Sequence, residues 1–493
     1  MRAQELTRLR RVPNSGRRKI LASGSAVALL TALSAASLPA RASAQTFRSV
    51  ASAPTTGFPT GYVNIDGHGW GPGIGMGQWG AFGYAAVGHM TYRWIVSHFY
   101  GGTVLSQTAD PMISVSIIGN EDVPVTVTSR SRFRFGGLRF AAGTAGRAVM
   151  DPKTGKWTLS SASSCTAKST AWKVRQTGLT NPLAVPYSQK SGAAAATLLT
   201  ICRADGTDET VRGLVQAYNY DNANTDNKPL ARTINRLPLD SYVADVVPSE
   251  SSSGWGQVGG VNPSDGQQWG FQSLEAQAVA ARTYALAYKA AGGWYGYADI
   301  CDVDYCQSYP GIANESKLGT LASTDTAGKY LTVRGAPAAT QYSASTGGWT
   351  DKSSFPAVVD SGDSVCLTSP YWTCNPVHSW KRSIPVKTVQ ATFPSIGTLQ
   401  SITATSRNGD GSWGGRVLTV KIAGSKGAVS ESGDTFQGQF GLDSNWFLIT
   451  HPKTSAAAAA PSASVFGTAL RSPTGGAGTG PLPVNGKTPW RVS

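Results

Sequence analysis

The stretch LEAQAVAARTYALAYKAA, residues 274–291, decides the fold class of this 493-residue chain. Its apolar positions recur at the spacing of one helix face: Leu274, Ala278, Ala281, Ala285 and Tyr288. Ser273 is the predicted N-cap, and Gly292-Gly293 is the predicted stop. Because the packing face is mostly alanine, neighbouring elements can approach closely. The pattern therefore indicates a central, buried helix.

Arg282 lies in the middle of this helix. A charged side chain among alanines needs a partner or a route to solvent. Two interpretations follow: a structural ion pair, or a guanidinium that faces a cleft.

The sequence around the helix has the period-two alternation of β-strands. Ile113-Ser-Val-Ser-Ile and Val125-Thr-Val-Thr alternate in this way, and Asp151-Pro-Lys-Thr-Gly-Lys-Trp is a predicted turn. Charged residues make up only 14% of the chain, which also has 57 glycines. This composition is typical of a loop-rich exported protein. We therefore predict an α+β, β-rich fold with one central Ala-rich helix.

The N-terminus predicts export. Residues 2–19 are basic, residues 20–39 are mostly apolar and small, and Ala42-Ser43-Ala44 fits a cleavage site. We predict a signal peptide over residues 1–44, in which Arg17-Arg18 also resembles a twin-arginine motif. The alternative, an uncleaved anchor, would need a more apolar stretch. The expected location is secreted, extracytoplasmic and associated with the cell wall.

The charge balance points to an anionic partner. The formal net charge is +15, and residues 1–44 hold eight basic residues and one acid, so the remainder carries +8. Nucleic acid, anionic lipid and anionic wall polymer would all fit such a charge. Export disfavours nucleic acid, and no segment after the signal peptide is long and apolar enough to span a membrane.

Six cysteines in an exported chain predict disulfides. Fifteen pairings are possible, and proximity in sequence favours Cys301–Cys306, Cys366–Cys374 and Cys165–Cys202. The alternative is zinc at Cys301-x4-Cys306, although thiolate zinc sites usually complete a set of four ligands and no histidine lies nearby.

Five segments in one order carry a family resemblance. They are Leu237-Pro-Leu-Asp-Ser-Tyr-Val-Ala-Asp-Val-Val-Pro-Ser-Glu250, Leu274 to Ala285, Asp299-Ile-Cys-Asp with Cys306-Gln-Ser-Tyr, Tyr342-Ser-Ala-Ser-Thr-Gly-Gly-Trp-Thr350, and Leu442 to Phe447. Over about residues 231–450 the chain resembles the SpoIID (stage II sporulation protein D) and LytB amidase-enhancer family of peptidoglycan-acting proteins.

A sixth segment matches out of order. Gly67 to Ala81, followed by Phe99-Tyr-Gly-Gly-Thr, resembles a glycine–histidine loop that in relatives commonly follows the catalytic segment, as in a circular permutation. Pro72 stands where that loop usually has a second histidine, although His68 remains. The glycine run is either a wall of a sugar cleft or a structural turn. Some relatives bind zinc near the cysteine pair with histidine help; this sequence lacks those histidines, so we expect no metal or other cofactor.

The resemblance implies a lytic transglycosylase that acts on peptidoglycan glycan strands with Glu250 as its acid. Such an enzyme can work with one carboxylate, whereas glycoside hydrolysis normally takes two. The predicted substrate contacts are Arg282, to the lactyl carboxylate of peptide-free muramic acid, with Gln78, His68, Ser345 and Thr346. Apolar neighbours such as Trp255 would raise the pKa of Glu250, and Asp245 could be solvated. The alternative is a non-catalytic wall-binding protein that stimulates a separate amidase.

The predicted organisation has five parts: a signal peptide (1–44), a glycine-rich loop and helix (61–105), an inserted β-rich docking domain (106–230), a SpoIID-like catalytic core (231–450) and a disordered Ala/Pro/Gly-rich tail (451–493).

Overall fold

The computed structural model describes residues 55, 56, 58, 61–190, 192–203, 205–220 and 229–450. The predicted signal peptide and tail lie outside these residues. Strands outnumber helices in the described part, as expected for a β-rich α+β fold. Its α-helices are α1 (Gln78–Ala86), α2 (Tyr92–Phe99), α3 (Leu239–Glu250), α4 (Phe271–Ala290), α5 (Lys317–Asp325), α6 (Val386–Thr392) and α7 (Gly433–Phe440).

The alanine-rich helix α4 lies at the centre, as predicted. Ala278, Ala281 and Ala285 pack into one hydrophobic core, while Ala276 and Ala280 pack into a second. Small side chains on both faces let one helix serve two cores. The predicted cap was wrong: the helix begins one turn early at a Gly270 N-cap, and Ser273 instead donates to the Gly270 carbonyl. Gly292 and Gly293, both with positive φ, follow its end.

Two larger sheets form the β-rich region. The six-stranded sheet has the strand order Lys173–Leu179, Trp157–Ala162, Ala145–Met150, Val125–Thr128, Leu199–Ile201 and Glu209–Val211. The seven-stranded sheet has the order Ile300–Cys301, Met112–Ser116, Leu230–Pro238, Leu214–Tyr220, Leu183–Val185, Phe133–Phe135 and Leu138–Phe140.

The seven-stranded sheet joins the predicted docking domain to the predicted core. Leu214–Tyr220 and Leu230–Pro238, on either side of the predicted boundary, are hydrogen-bonded neighbours over seven residue pairs. Val115 and Val127 from one side share a hydrophobic core with Val243 from the other. The β-rich region is therefore built onto the sheet that supports α3 and α4.

The remaining strands form smaller sheets. Leu399–Arg407, Val417–Gly424 and Gly427–Ser432 form a meander with the short strand Thr55–Thr56. Two three-stranded sheets contain Ala336–Pro337, Lys329–Val333 and Val104–Gln107, and Ser379–Pro385, Tyr62–His68 and Phe447–Thr450. Two-stranded pairs join Met76–Gly77 with Tyr342–Ser343, and Cys366–Leu367 with Thr373–Cys374.

The glycine–histidine loop lies beside the end of the described chain. The strand that enters it, Tyr62–His68, pairs antiparallel with Phe447–Thr450. The loop can therefore occupy the same position in the fold whether it precedes the core in sequence, as here, or follows the terminal strand. A circular permutation needs this geometry. The single helix predicted within residues 61–105 is two helices, α1 and α2, because the chain breaks at Gly88 and at His89, where φ is 52°.

Three disulfides are present: Cys165–Cys202, Cys301–Cys306 and Cys366–Cys374. These are the pairings that proximity favoured, and they fit an extracytoplasmic protein. Across the described ranges, no helix is long and apolar enough to cross a membrane.

Candidate active site

Helix α3 places Glu250 at its C-terminal end. The residues before it are apolar and buried, among them Val243, Val246 and Val247 in the core shared with α4. The helix ends at Glu250 because Ser251 adopts an extended conformation, with its N–H donating to the Val247 carbonyl. Glu250 is partly exposed, so it lies where a buried helix reaches the surface.

Asp245 corrects one prediction. It was expected to alternate with Val246 and meet solvent, but the segment is helical and Asp245 is fully buried. Neither carboxylate oxygen has a hydrogen-bond partner within the described residues, and burial raises the pKa of Asp245 well above its ordinary value. Asp245 therefore favours its neutral form inside the core.

Glu250 accepts hydrogen bonds on both carboxylate oxygens. The Ser308 N–H donates to Oε1 at 2.7 Å, and Gln78 Nε2 donates to Oε2 at 3.3 Å. The Tyr342 hydroxyl also lies close enough to this carboxylate to stabilise its charged form. These donors come from three distant segments, so the tertiary fold, and not the local sequence, holds the acid in one orientation.

The pKa of Glu250 is raised. Burial is the largest cause, because removal from water disfavours the charged form. The hydrogen bonds from Ser308, Gln78 and Tyr342 act in the opposite direction, and the carboxylate of Asp304 adds to the increase. A carboxyl group with a raised pKa stays protonated to higher pH, which a general acid requires.

A second layer of polar groups holds these donors. Gln307 accepts from the Tyr242 hydroxyl through Oε1 at 3.0 Å and donates to the Tyr342 hydroxyl through Nε2 at 3.0 Å. Gln307 and Tyr242 are fully buried. Tyr342, and with it the donor to Glu250, is therefore fixed by a buried network.

If Glu250 is the general acid that the family resemblance implies, Gln78→Met should move the alkaline limb of the rate of glycan cleavage to higher pH. The Gln78 amide stabilises the carboxylate form, so its loss raises the pKa of Glu250 further. A general acid loses activity as pH rises through its pKa, and a higher pKa therefore extends activity upward. The measurement is kcat/KM against pH, with the exposed Gln176→Met as matched control. An unchanged limb would contradict this role of Gln78.

Arg282 does not face the cleft. Its side chain has 0% exposure, and Nε donates to Asp240 Oδ1 at 2.7 Å. The two Nη atoms donate to the carbonyls of Ala278, Lys329 and Ser323 and to the hydroxyls of Thr326 and Ser323. All its donors thus have protein acceptors. This geometry favours the structural ion pair, and we do not carry Arg282 into the substrate site.

Ser345 and Thr346 are fully buried and hold a turn together. The Ser345 hydroxyl donates to Asp363 Oδ2 at 2.8 Å, and the Thr346 hydroxyl donates to Asp360 Oδ2 at 2.6 Å. His378 Nδ1 lies 2.8 Å from the same Asp363 oxygen. Since the aspartate, not the histidine, contacts the serine, this group is not a nucleophile triad.

His68 joins the outer side of this turn. Its Nδ1 lies 3.3 Å from the His378 carbonyl, and its ring lies 4.5 Å from Trp413 and 5.1 Å from Trp446 between centroids. Burial is the largest cause of a lowered pKa, so His68 favours its neutral form. Of the predicted contacts, Gln78 touches Glu250, whereas His68, Ser345 and Thr346 form this second cluster.

The glycine run is a close-packed structural turn. A Cβ on Gly73 would lie 1.9 Å from the Arg416 guanidinium, and one on Gly75 would lie 2.1 Å from the Gln341 carbonyl. Both glycines have positive φ. The loop therefore packs against the segment that precedes Tyr342. Pro72, at the position where relatives usually have a second histidine, is exposed.

The aromatic residues near Glu250 form one cluster. Trp255 is buried, with ring centroids 4.7 Å from Trp79 and 4.8 Å from Phe82. Trp79, which follows Gln78, is partly buried and keeps a surface that a sugar could contact.

Removal of the Cys301–Cys306 disulfide is expected to lower the rate of the glycan cleavage that the family resemblance implies. Ser308 follows this bridge by two residues, so the donor to Glu250 loses its anchor. Cys301→Ala with Cys306→Ala should cost about 2 kcal/mol of stability, the low end for so short a loop. The double variant Cys165→Ala with Cys202→Ala is the control. The control variant should also lose stability, but it should cleave soluble glycan strands at an unchanged rate. An equal loss of activity in the two double variants would contradict the prediction.

Apart from Gln78, the residues that hold Glu250 received no role from the sequence patterns. Gln307, Ser308, Tyr242 and Tyr342 all lie inside the motifs that carried the family resemblance. Their presence in those motifs was the available signal, whereas their convergence on one carboxylate needed the fold. Nowhere in the described residues does a group of three or more His, Cys, Asp or Glu side chains stand where it could hold a metal ion.

Comparison with known proteins identifies one domain. Residues 228–333 match the family model described as SpoIID, Stage II sporulation protein. The match covers α3 with Glu250, α4, the cysteine pair and Ser308. No curated protein and no solved structure matches the chain.

Proposed function

Residues 228–333 belong to the SpoIID family, and on this premise we propose that the protein is a lytic transglycosylase of peptidoglycan glycan strands. The observation that carries the proposal is the environment of Glu250. Glu250 is partly exposed, its carboxyl group has a raised pKa, and the Ser308 N–H, Gln78 and Tyr342 stabilise its charged form. The disulfides fit a protein that meets such a substrate outside the cytoplasm.

The proposed reaction uses Glu250 twice. Protonated Glu250 donates its proton to the glycosidic oxygen between N-acetylmuramic acid and N-acetylglucosamine as the bond to the anomeric carbon breaks. The resulting carboxylate then accepts the proton of the muramic acid 6-hydroxyl as that oxygen attacks the anomeric carbon. The products are a 1,6-anhydro-muramic end and a free N-acetylglucosamine end. Water takes no part, so the acid is regenerated without a second catalytic carboxylate.

The hydrogen bonds around Glu250 suit both steps. Burial favours the neutral acid before cleavage, whereas the donors from Ser308, Gln78 and Tyr342 stabilise the carboxylate that forms during cleavage. Because these donors are already in place, little reorganisation accompanies the proton transfer.

The test is a digest of peptide-free glycan strands with the products read by mass spectrometry, using the Glu250→Gln protein as the blank. We expect anhydro-muramic ends with the unaltered protein and none with the blank. Reducing ends would indicate a hydrolase, and Asp304→Asn would then test the exposed Asp304 as the second carboxylate. Binding to strands without cleavage would replace the proposal with the wall-binding protein that stimulates an amidase.

A further inference from the structure

The positive charge of the chain is concentrated in one segment. Residues 130–200 contain eleven Lys and Arg and one acid, Asp151. The remainder of residues 45–493 holds 24 basic and 26 acidic residues. The excess charge that predicts an anionic partner therefore lies in the β-rich region and not around Glu250.

These cations face solvent. Ten of the eleven are exposed, and Arg147, which lies over the Trp172 ring at 3.8 Å, is half-buried. Within the described residues none of the eleven forms an ion pair. The segment thus presents a basic surface, defined here by its ten exposed Lys and Arg side chains, with little charge compensation of its own.

Two cations of this surface repel each other across a β-ladder. Arg134 and Arg139 are directly opposite in the antiparallel pair Phe133–Phe135 and Leu138–Phe140. Like charges at such positions destabilise a sheet. An anion bound between or beside them would relieve the repulsion.

The edges of both large sheets converge on a basic cavity. Arg139 comes from the edge strand of the seven-stranded sheet, and Lys173 and Arg175 come from the edge strand of the six-stranded sheet. The cavity has a volume of about 520 Å³, and its lining adds the hydroxyls of Thr144 and Ser161. Arg175 lies at a β-bulge of its strand, and both Lys173 and Arg175 line the cavity.

Lysine on a lone edge strand also protects against aggregation. That explanation applies to each edge strand separately, but it does not account for cations from two different sheets lining one cavity. Three cations and several hydroxyls around one cavity, with no acid in its lining, match an anion that also carries hydroxyl groups.

We propose that the basic cavity binds an anionic polysaccharide of the cell wall, a polymer whose sugars or polyols carry phosphate or carboxylate groups, and that the rest of the basic surface adds only a weaker, long-range attraction. The Cys165–Cys202 disulfide anchors the loop that leads to this surface, which fits exposure to an extracytoplasmic ligand. The site would keep the protein on the wall independently of Glu250.

The test measures binding by the Glu250→Gln protein, so that cleavage plays no part. The probes are soluble poly(glycerol phosphate) and polygalacturonate, with dextran as the neutral polymer and duplex DNA and phosphatidylglycerol vesicles as other polyanions. Lys173→Gln with Arg175→Gln removes two charges from the cavity. Lys153→Gln with Lys156→Gln removes two charges from the turn at the far end of strand Trp157–Ala162 and is the matched control.

We expect one or both anionic polysaccharides to bind, dextran not to bind, and added salt to weaken binding. The cavity variant should bind about tenfold more weakly, as expected for the loss of two exposed ion pairs. The turn variant should bind less than about threefold more weakly, which is half of that effect on a logarithmic scale. The preferred polymer distinguishes phosphate from carboxylate.

Equal losses in the two double variants would overturn the assignment to the cavity. Binding of DNA or vesicles that is tighter than binding of either polysaccharide would overturn the choice of partner, and no binding at all would overturn the site. The binding test does not measure cleavage of peptide-free strands, so failure to bind the polysaccharides would leave the proposed transglycosylase activity unaffected. Failure to cleave the strands would likewise leave the proposed binding site unaffected. Thermal melts of both variants confirm that each is folded.

Discussion

Glu250→Gln is expected to reduce glycan cleavage by about a thousandfold, within the range measured when a general acid is removed. The amide has the shape of the acid but cannot donate a proton to the glycosidic oxygen at a useful rate. It retains an acceptor for the Ser308 N–H, and it removes a carboxyl group whose burial is costly. We therefore expect the melting temperature to stay the same or rise slightly. The measurement is the initial rate of formation of anhydro-muramic ends.

Glu275→Gln is the matched control for this change. Glu275 is a buried glutamate in α4, and burial raises its pKa to about 8. The same chemical change at this position should leave the cleavage rate within a few-fold of the unaltered protein. If Glu250→Gln kept more than about a tenth of the activity, a loss smaller than general acids show, the acid would have to be another residue.

The features of the fold that depend on residues close together in the chain could be predicted from the sequence. Helix α4 follows from the alanine spacing, and its end follows from Gly292 and Gly293. The disulfide pairings followed from short sequence separations. These features depend on residues within about one element, where periodicity and turn chemistry are sufficient.

Helix α3 illustrates what local patterns miss. Val246-Val247-Pro248 has the β-branched residues and the proline that disfavour a helix. In the structure, burial against α4 outweighs these preferences, and Pro248 lies in the last turn against Gly319 of α5. Helical geometry then turns Asp245 into the core, which an extended reading of the segment could not predict.

The candidate site required contacts between distant segments. Gln78 is 172 residues from Glu250 in sequence, and Ser308 is 58 residues from it. Tyr342 reaches the site because its strand pairs with Met76–Gly77, immediately before Gln78. The motifs indicated that these segments matter, but no spacing within a motif indicates which atoms meet.

The basic surface illustrates a different limit. Composition gave the sign and size of the net charge, but it did not indicate where on the folded protein the cations lie. The cavity lined by Arg139, Lys173 and Arg175 contains none of the residues around Glu250, so the two proposed activities should be lost independently.

Arg282→Met is expected to destabilise the protein by about 3–5 kcal/mol, the cost of breaking a buried ion pair by removing one partner. Methionine fills much of the space but leaves the carbonyls of Ser323 and Lys329 without their donors, and Asp240 without its cation. The measurement is the free energy of unfolding in urea. Arg282→Lys keeps the charge but not the planar fork of donors, and it should lose an intermediate amount.

A double-mutant cycle with Asp240 separates this structural role from substrate binding. Asp240→Asn with Arg282→Met should be less destabilised than the sum of the two single variants, because neither then leaves a charge unpaired. In variants that remain folded at the assay temperature, KM for peptide-free strands should be unchanged. A raised KM with unaltered stability in Arg282→Lys would instead assign Arg282 to the lactyl carboxylate, and the guanidinium would then have to leave its present acceptors when substrate binds.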